Sequence, residues 1–249
     1  MEGPSLHILA QKLTPFVGQK ITKSFGNTSI DKAVLVGQSI REIYPFGKRL
    51  IIQCDTHVVV IHFLMYGTYR ITTPRENMPI RLALVTKKYA LFLYNCSIRC
   101  VPLADLRSYI PFEFDILSSE WTVKKIMAAI AKQRNENETV DDLLLDQTIF
   151  AGVGNIIKNE ALFMSKLSPH ALVKKLSVKK LTQLVKNTRK FSEIFLESRK
   201  DYQLKKQLQI YRKITCPVCG TKIIRQKTGK RNRWSFWCPH CQNDNGPKS

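Results

Sequence analysis

The stretch DQTIFAGVGNIIKNEALF, residues 146–163, decides the fold. It joins two helical segments through a turn that carries two glycines. Thr139 reads as the N-cap of the first helix, with Asp141 and Asp142 in its first turn. Asn155 opens the second. Gly152 and Gly154 relieve steric limits in the turn, and free amides at the start of the second helix predict an attracted phosphate. The Gly-Val-Gly is not a dinucleotide fingerprint, because it follows a helix rather than a strand and lacks a third glycine.

Downstream, Cys216, Cys219, Cys238 and Cys241 form C-x2-C-x18-C-x2-C. Two close pairs separated by a hairpin-length stretch place four thiolates around one tetrahedral ion. Four cysteine ligands leave no open position, so a zinc ion here is expected to be structural. It would fold a hairpin too small to fold alone. That hairpin carries Lys227, Lys230, Arg231 and Arg233 beside Trp234, Phe236 and Trp237, a phosphate-gripping tip. Cys54, Cys96 and Cys100 lack ligand spacing and read as buried, inert thiols.

Upstream, Leu6, Leu9, Ala10 and Leu13 recur at helical spacing, and Gly18 follows as a stop. From residue 20 to 101 the chain changes to short runs rich in Val, Ile, Tyr and Phe: SIREIY, RLIIQC, HVVVIHFLM, RLALVT and ALFLY. Turn-like clusters separate them, which predicts a sandwich or barrel. After residue 117 helices return. Val123, Ile126, Met127 and Ile130 share one face. Ser177 opens a helix with the stripe Leu181, Leu184, Val185, Thr188 and Phe191.

The net charge of +21 calls for a polyanionic partner, and nucleic acid is the commonest. The excess is concentrated from residue 174 onward. No signal peptide is read at the start, and the most apolar run, residues 58–65, is too short to span a bilayer. The expected protein is soluble, in the cytoplasm with the nucleoid or in the nucleus, and not secreted.

Together these segments resemble the formamidopyrimidine-DNA glycosylase and endonuclease VIII family. The matches are Glu2-Gly3-Pro4, Gly47-Lys48, the H-x-x-M-Y-G of residues 62–67, the segment of residues 146–163, and the R-x-x-x-W-C-P-x-C-Q that begins at Arg233. They run in family order through nearly the whole chain. The resemblance implies an α+β multidomain protein. Its parts are an N-terminal β-sandwich with a flanking helix (residues 1–118), a helix-two-turn-helix DNA-binding domain (119–210) and a four-cysteine zinc finger (211–249). It implies base-excision repair of damaged duplex DNA by a monomer acting as both glycosylase and abasic-site lyase.

In that family the N-terminal amine attacks C1′ of a flipped nucleotide, the base leaves, and elimination follows from a Schiff base. An α-amine has a pKa near ~8, so a useful fraction is neutral at pH 7. By resemblance Glu2 moves protons on the opened sugar. Lys48 contacts the phosphate near the lesion, and Asn155 and Arg233 grip the flanking phosphates. Met65 fills the gap left by the extruded base. Tyr66 and Arg231 stand beside these residues as further DNA contacts. Glu160 matches a family acidic residue that is either structural or a sugar contact. Taken alone, Glu2 reads as a first-turn charge, Lys48 as a solvated strand end and Met65 as core.

The chain departs from the family pattern in three places. The usual Met-Pro-Glu-Gly-Pro start lacks its proline, so the α-amine of Met1 is expected to be the nucleophile. It would give an imine that must be protonated to stay electrophilic. The stretch YNCSIRCVP, read as a loop, lacks the Arg–Phe pair that oxidised-purine members insert as extra wedges. ESRKDYQLKKQ is short where those members cap 8-oxoguanine with a long loop. Both favour the endonuclease VIII side, with oxidised pyrimidines, ring-opened purines or abasic sites as substrates. The competing readings are a catalytically silent zinc-containing DNA-binding protein and a zinc-ribbon nucleic-acid or ribosome-associated factor. A pure clamp needs neither Glu2 nor a free terminus, which favours the enzyme.

Overall fold

The computed structural model describes residues 1–106, 110–133 and 137–243. Two compact units divide the chain. One comprises Met1 and Gly3–Pro111, and the other comprises Glu2 and Phe112–Ser249.

The first unit opens with helix α1 (Gly3–Lys12), which buries Leu6, Leu9 and Ala10. Strands β1 (Ile21–Phe25), β6 (Leu82–Thr86), β7 (Ala90–Tyr94) and β5 (Thr68–Ile71) form one antiparallel sheet in that order. Strands β2 (Ile40–Phe46), β3 (Arg49–Cys54), β4 (His57–His62) and β8 (Ser97–Pro102) form the other. Ile52, Val59 and Ile61 of one sheet meet Leu82, Leu84 and Leu93 of the other in a single core, to which α1 adds Leu6 and Leu9, with Leu13 just past its end. This is the β-sandwich with its flanking helix, held by burial of β-branched and aliphatic faces.

The YNCSIRCVP stretch is not a loop. Strand β7 ends at Tyr94, Asn95 takes φ 49°, and β8 starts at Ser97 against β4. Only Asn95 and Cys96 separate strands of opposite sheets, so no protruding loop exists there to carry extra wedges.

In the second unit, α2 (Val123–Gln133), α3 (Val140–Leu145), α4 (Asn155–Met164) and α5 (Val178–Lys200) enclose a helical core. It includes Ile126, Ile130, Leu143, Phe150, Ile157 and Leu184. Thr139 and Ser177 cap their helices, accepting from the amides of Asp142 and Lys180. A short helix, α6 (Leu204–Gln207), leads to strands β9 (Ile224–Thr228) and β10 (Arg233–Trp237), which pair as an antiparallel hairpin. Phe163, Ile210, Ile223 and Phe236 join Cys216 and Cys238 in a small core that seats the hairpin on α4. No helix among the described residues is long and apolar enough to cross a membrane.

Candidate functional site

The turn between α3 and α4 is knitted by Gln147. Its amide donates to the carbonyls of Leu145 and Val153 at 3.0 Å each, and its oxygen accepts from Gly152. Gly152 takes φ +100°, a conformation that favours glycine. Gly154 is needed for a different reason. A β-carbon there would stand 2.7 Å from Oε1 of Glu2 and closer still to its Cγ and Cδ.

Glu2 reaches the start of α4 because that helix offers amides with no partner inside it. The Ile156 amide donates to Oε1 at 2.7 Å, and the Ile157 amide donates to Oε2 at 3.2 Å. The helix dipole adds to this attraction. The amides read as a phosphate cradle therefore hold a carboxylate of the chain itself. Glu2 is not a first-turn charge of α1, which has no acidic residue in its first turn.

The side-chain amide of Asn155 donates to the Trp234 carbonyl at 2.8 Å, one residue beyond Arg233, while its Oδ1 is buried without a partner. Helix α4 and strand β10 are thereby joined at Asn155, next to the strand's first residue, Arg233. Arg231 and Arg233 are exposed.

Beneath this contact lies a group that the sequence reading missed. Lys158 is fully buried, and its Nζ lies 2.6 Å from Oδ1 of Asp141, also fully buried. The same ammonium donates to Ser235 at 2.6 Å, and Ser235 donates to Asp141 at 2.9 Å. Burial pulls the Lys158 ammonium below its ordinary range, and the Asp141 carboxylate opposes that pull. Asn159 accepts from the Phe236 amide at 2.7 Å, and Asp142 accepts from the Lys230 amide at 2.8 Å. Asp141 and Asp142 are thus docking groups for the hairpin as well as first-turn charges. The available signal was a lysine within an apolar helix, one helix after a pair of aspartates.

Glu160 is a bracket. It is 1% exposed and accepts from the backbone amides of Gln209, Ile210 and Tyr211, which fixes the approach to the hairpin. Burial pushes its carboxyl up, against those three donors.

In the first unit, Gly47 takes φ +55° and turns β2 into β3, leaving Lys48 half-buried at the tip. His62 lies close to Lys48 and to the Met1 amine. Burial lowers its pKa first, and the charges of Arg49, Lys48 and that amine lower it further. Its Nδ1 accepts from the Leu64 amide at 3.1 Å. The next residues leave the sheet. Leu64 takes φ 49°, and the Gly67 amide closes the turn on the Phe63 carbonyl at 2.7 Å. A β-carbon on Gly67 would collide with that carbonyl. Met65 and Tyr66 are thrown outward, 68% and 79% exposed, so Met65 is not core.

The four cysteine sulfurs lie within 4.8 Å of one another. Neighbouring sulfurs are 3.4 to 3.8 Å apart. A tetrahedron with bonds of about 2.3 Å to zinc has edges of about 3.8 Å, so the cluster suits a metal ion. Cys54 and Cys96 are buried, which pushes their thiols up to about 12 and about 11.

Residues 113–201 match the model of the formamidopyrimidine-DNA glycosylase H2TH domain. The chain is 36% identical over 226 residues to Endonuclease 8-like 3 of Xenopus laevis, covering 86% of this chain and 36% of that protein. It is 26% identical over 264 residues to Endonuclease 8 of Pectobacterium atrosepticum, covering 97% and 99%. The chain spans about a third of the length of the Endonuclease 8-like 3 relatives it matches, 34% to 36%. Its fold matches the crystal structure of Lactococcus lactis formamidopyrimidine-DNA glycosylase bound non-covalently to DNA containing an abasic site. The TM-score is 0.87 at 22% identity, over 98% of this chain and 100% of that one. A viral DNA glycosylase matches with a TM-score of 0.81 at 23% identity, over 97% and 100%.

Proposed function

Because the chain belongs to the formamidopyrimidine-DNA glycosylase and endonuclease VIII family, we propose that it removes oxidised bases from damaged duplex DNA and nicks the abasic site left behind. The observation that carries this reading is Glu2, held by two amides of α4 immediately beside Met1. The lone pair of the Met1 amine attacks C1′ of the extruded nucleotide, and the base departs with the glycosidic electron pair. The adduct nitrogen gives up one proton, the C1′–O4′ bond breaks as O4′ takes one, and the protonated Schiff base that results loses a proton from C2′ and expels the 3′ phosphate. Glu2 is the group next to the amine that can carry protons for these steps.

Lys48 holds the phosphate near the lesion, Asn155, Arg231 and Arg233 hold the flanking backbone, and Met65 with Tyr66 fills the gap in the stack. Cys216, Cys219, Cys238 and Cys241 hold a structural zinc that fixes the hairpin. Oxidised pyrimidines are the favoured lesions. The direct crossing from β7 to β8 supports this, since it leaves no loop for additional wedges.

Borohydride reduction in the presence of an abasic duplex tests the reading. Covalent protein–DNA adduct is expected, with peptide mapping placing it on Met1. Absence of adduct, or an adduct on a lysine side chain, would overturn the mechanism. A panel of lesions in duplex form then ranks the substrates.

A further inference from the structure

The hairpin sorts its basic residues by face. Side chains alternate along a strand, so Trp234 and Ser235 leave β10 on opposite sides. Ser235 faces Asp141 and Lys158, and Arg233 shares its side by alternation. Trp234 and Phe236 leave on the other side, and their cross-strand partners Lys227 and Arg225 go with them. The Arg225 guanidinium stands 4.2 Å from the centre of the Trp234 ring, and the Lys227 ammonium stands 5.6 Å from it. Trp234 remains 41% exposed.

A groove of about 490 Å³ opens on this outer face, walled by Trp234 and by Arg212, Lys213, Lys222 and Arg225. It falls within the range of about 300–1,000 Å³ typical of ligand sites. Arg212 lies over the Tyr211 ring at 5.4 Å. From residue 202 to 243 the chain has ten Lys and Arg and no Asp or Glu; the buried Glu160 behind Tyr211 offsets only part of this charge, at Lys213.

We infer that this outer face binds single-stranded nucleic acid, with a base stacked against Trp234 and the adjoining phosphates on Arg212, Lys213, Lys222 and Arg225. Of the residues placed at the lesion, Arg233 is the one on this strand, and it lies on the Ser235 side, away from the groove. The chemistry favours an unpaired strand. Aromatic rings and arginine planes in a basic groove stack bases of any sequence. Bases inside a duplex are already stacked and offer Trp234 no free face. An acidic peptide would use the cations and leave the ring idle.

The test uses the full chain and a fluorescent, undamaged thymidine octamer. Arg225→Glu with Lys222→Glu is expected to weaken octamer binding at least tenfold. Adduct yield on an abasic duplex should stay within about twofold of the parent. Arg225→Gln with Lys222→Gln should show a smaller loss in the same direction, and circular dichroism with zinc content verifies folding of both. Protein already joined to an abasic duplex by borohydride should bind the octamer as tightly as free protein. Failure of adduct formation would count against the catalytic reading only, because octamer binding by the free protein is compared across variants regardless. The inference is overturned if the variants bind the octamer like the parent, or if the adduct no longer binds it. It is also overturned if a blunt duplex binds the groove equally well, or if polyglutamate of equal charge competes equally well.

Discussion

A β-carbon on residue 154 and the carboxylate of Glu2 cannot occupy the molecule together, since the carbon would lie 2.7 Å from Oε1 and nearer to Cγ and Cδ. The backbone of Gly154 is extended, with φ −122°, so conformational freedom is not the reason for glycine here. Gly154→Ala is therefore expected to fold normally and to push Glu2 off the amides of Ile156 and Ile157. A shift of about 1 Å in a catalytic group costs on the order of 100-fold in rate. Single-turnover nicking of an abasic duplex checks this. A rate within threefold of the parent would show that the carboxylate does not act from this position.

Among the described ion pairs, both side chains of Lys158–Asp141 are fully buried, unlike those of Arg41–Asp55, Arg189–Glu193 and Lys200–Glu197. Removing one partner of a buried pair leaves the other charge without compensation and costs about 3–5 kcal/mol. Asp141→Ala and Lys158→Ala should each lower stability by that order in urea unfolding. Lys158→Met with Asp141→Leu should recover part of the loss, because neither charge then remains. Hairpin docking reads separately. Lys158→Ala should also weaken DNA binding, since Nζ holds Ser235, two residues from Arg233.

His62 gives the pH dependence. Burial and three neighbouring positive charges lower its pKa in the folded chain. Its unfolded value is about 6.5. Between the two values the unfolded chain binds more protons, so stability rises with pH. The contribution is present above about pH 6.5 and is lost as pH falls through the folded pKa. His62→Asn should flatten the acid side of the stability curve relative to the parent. Thermal unfolding from pH 4.5 to 8 measures the difference, and parallel curves would refute the assignment.

Met65 separates stability from function. A side chain 68% exposed contributes little to the core, so Met65→Ala should change stability by no more than about 0.5 kcal/mol. Excision from duplex should fall, because the wedge that replaces the extruded base is shortened. Excision from single strands, which have no gap to fill, should be nearly unchanged. Equal losses on both substrates would remove the wedge assignment.

Local pattern carried much of this architecture. The helix caps Thr139 and Ser177, the strand runs and the cysteine spacing each depend on neighbours in the chain, and each is legible. Partners far apart in sequence are not. The Glu2 carboxylate meets an amide 154 residues away, and only the fold reveals that Gly154 exists to admit it. Met65 sits in an apolar run that periodicity assigns to core, yet the left-handed Leu64 ends the strand and turns the side chain outward. The role of Lys158 emerges only when Asp141 and Ser235 are seen around it. The division of the hairpin's basic residues between two faces depends on strand register, which composition does not record.

Metal removal tests the hairpin as a whole. Cys216 and Cys238 are buried in a core of Phe163, Ile210, Ile223 and Phe236, too few apolar groups to hold a hairpin without a cross-link. One zinc per chain is expected by colorimetric release. Because metal binding to such a site is folding free energy, chelation should unfold the hairpin and redden the emission of Trp234 and Trp237. The helical core around Leu143, Phe150 and Leu184 contains no cysteine ligand, so far-ultraviolet dichroism should keep its helical signal. Binding to an abasic duplex should fall at least tenfold, since Arg231 and Arg233 lose their support. Stripped protein that binds DNA as before would show that the thiolates fix nothing the interface needs.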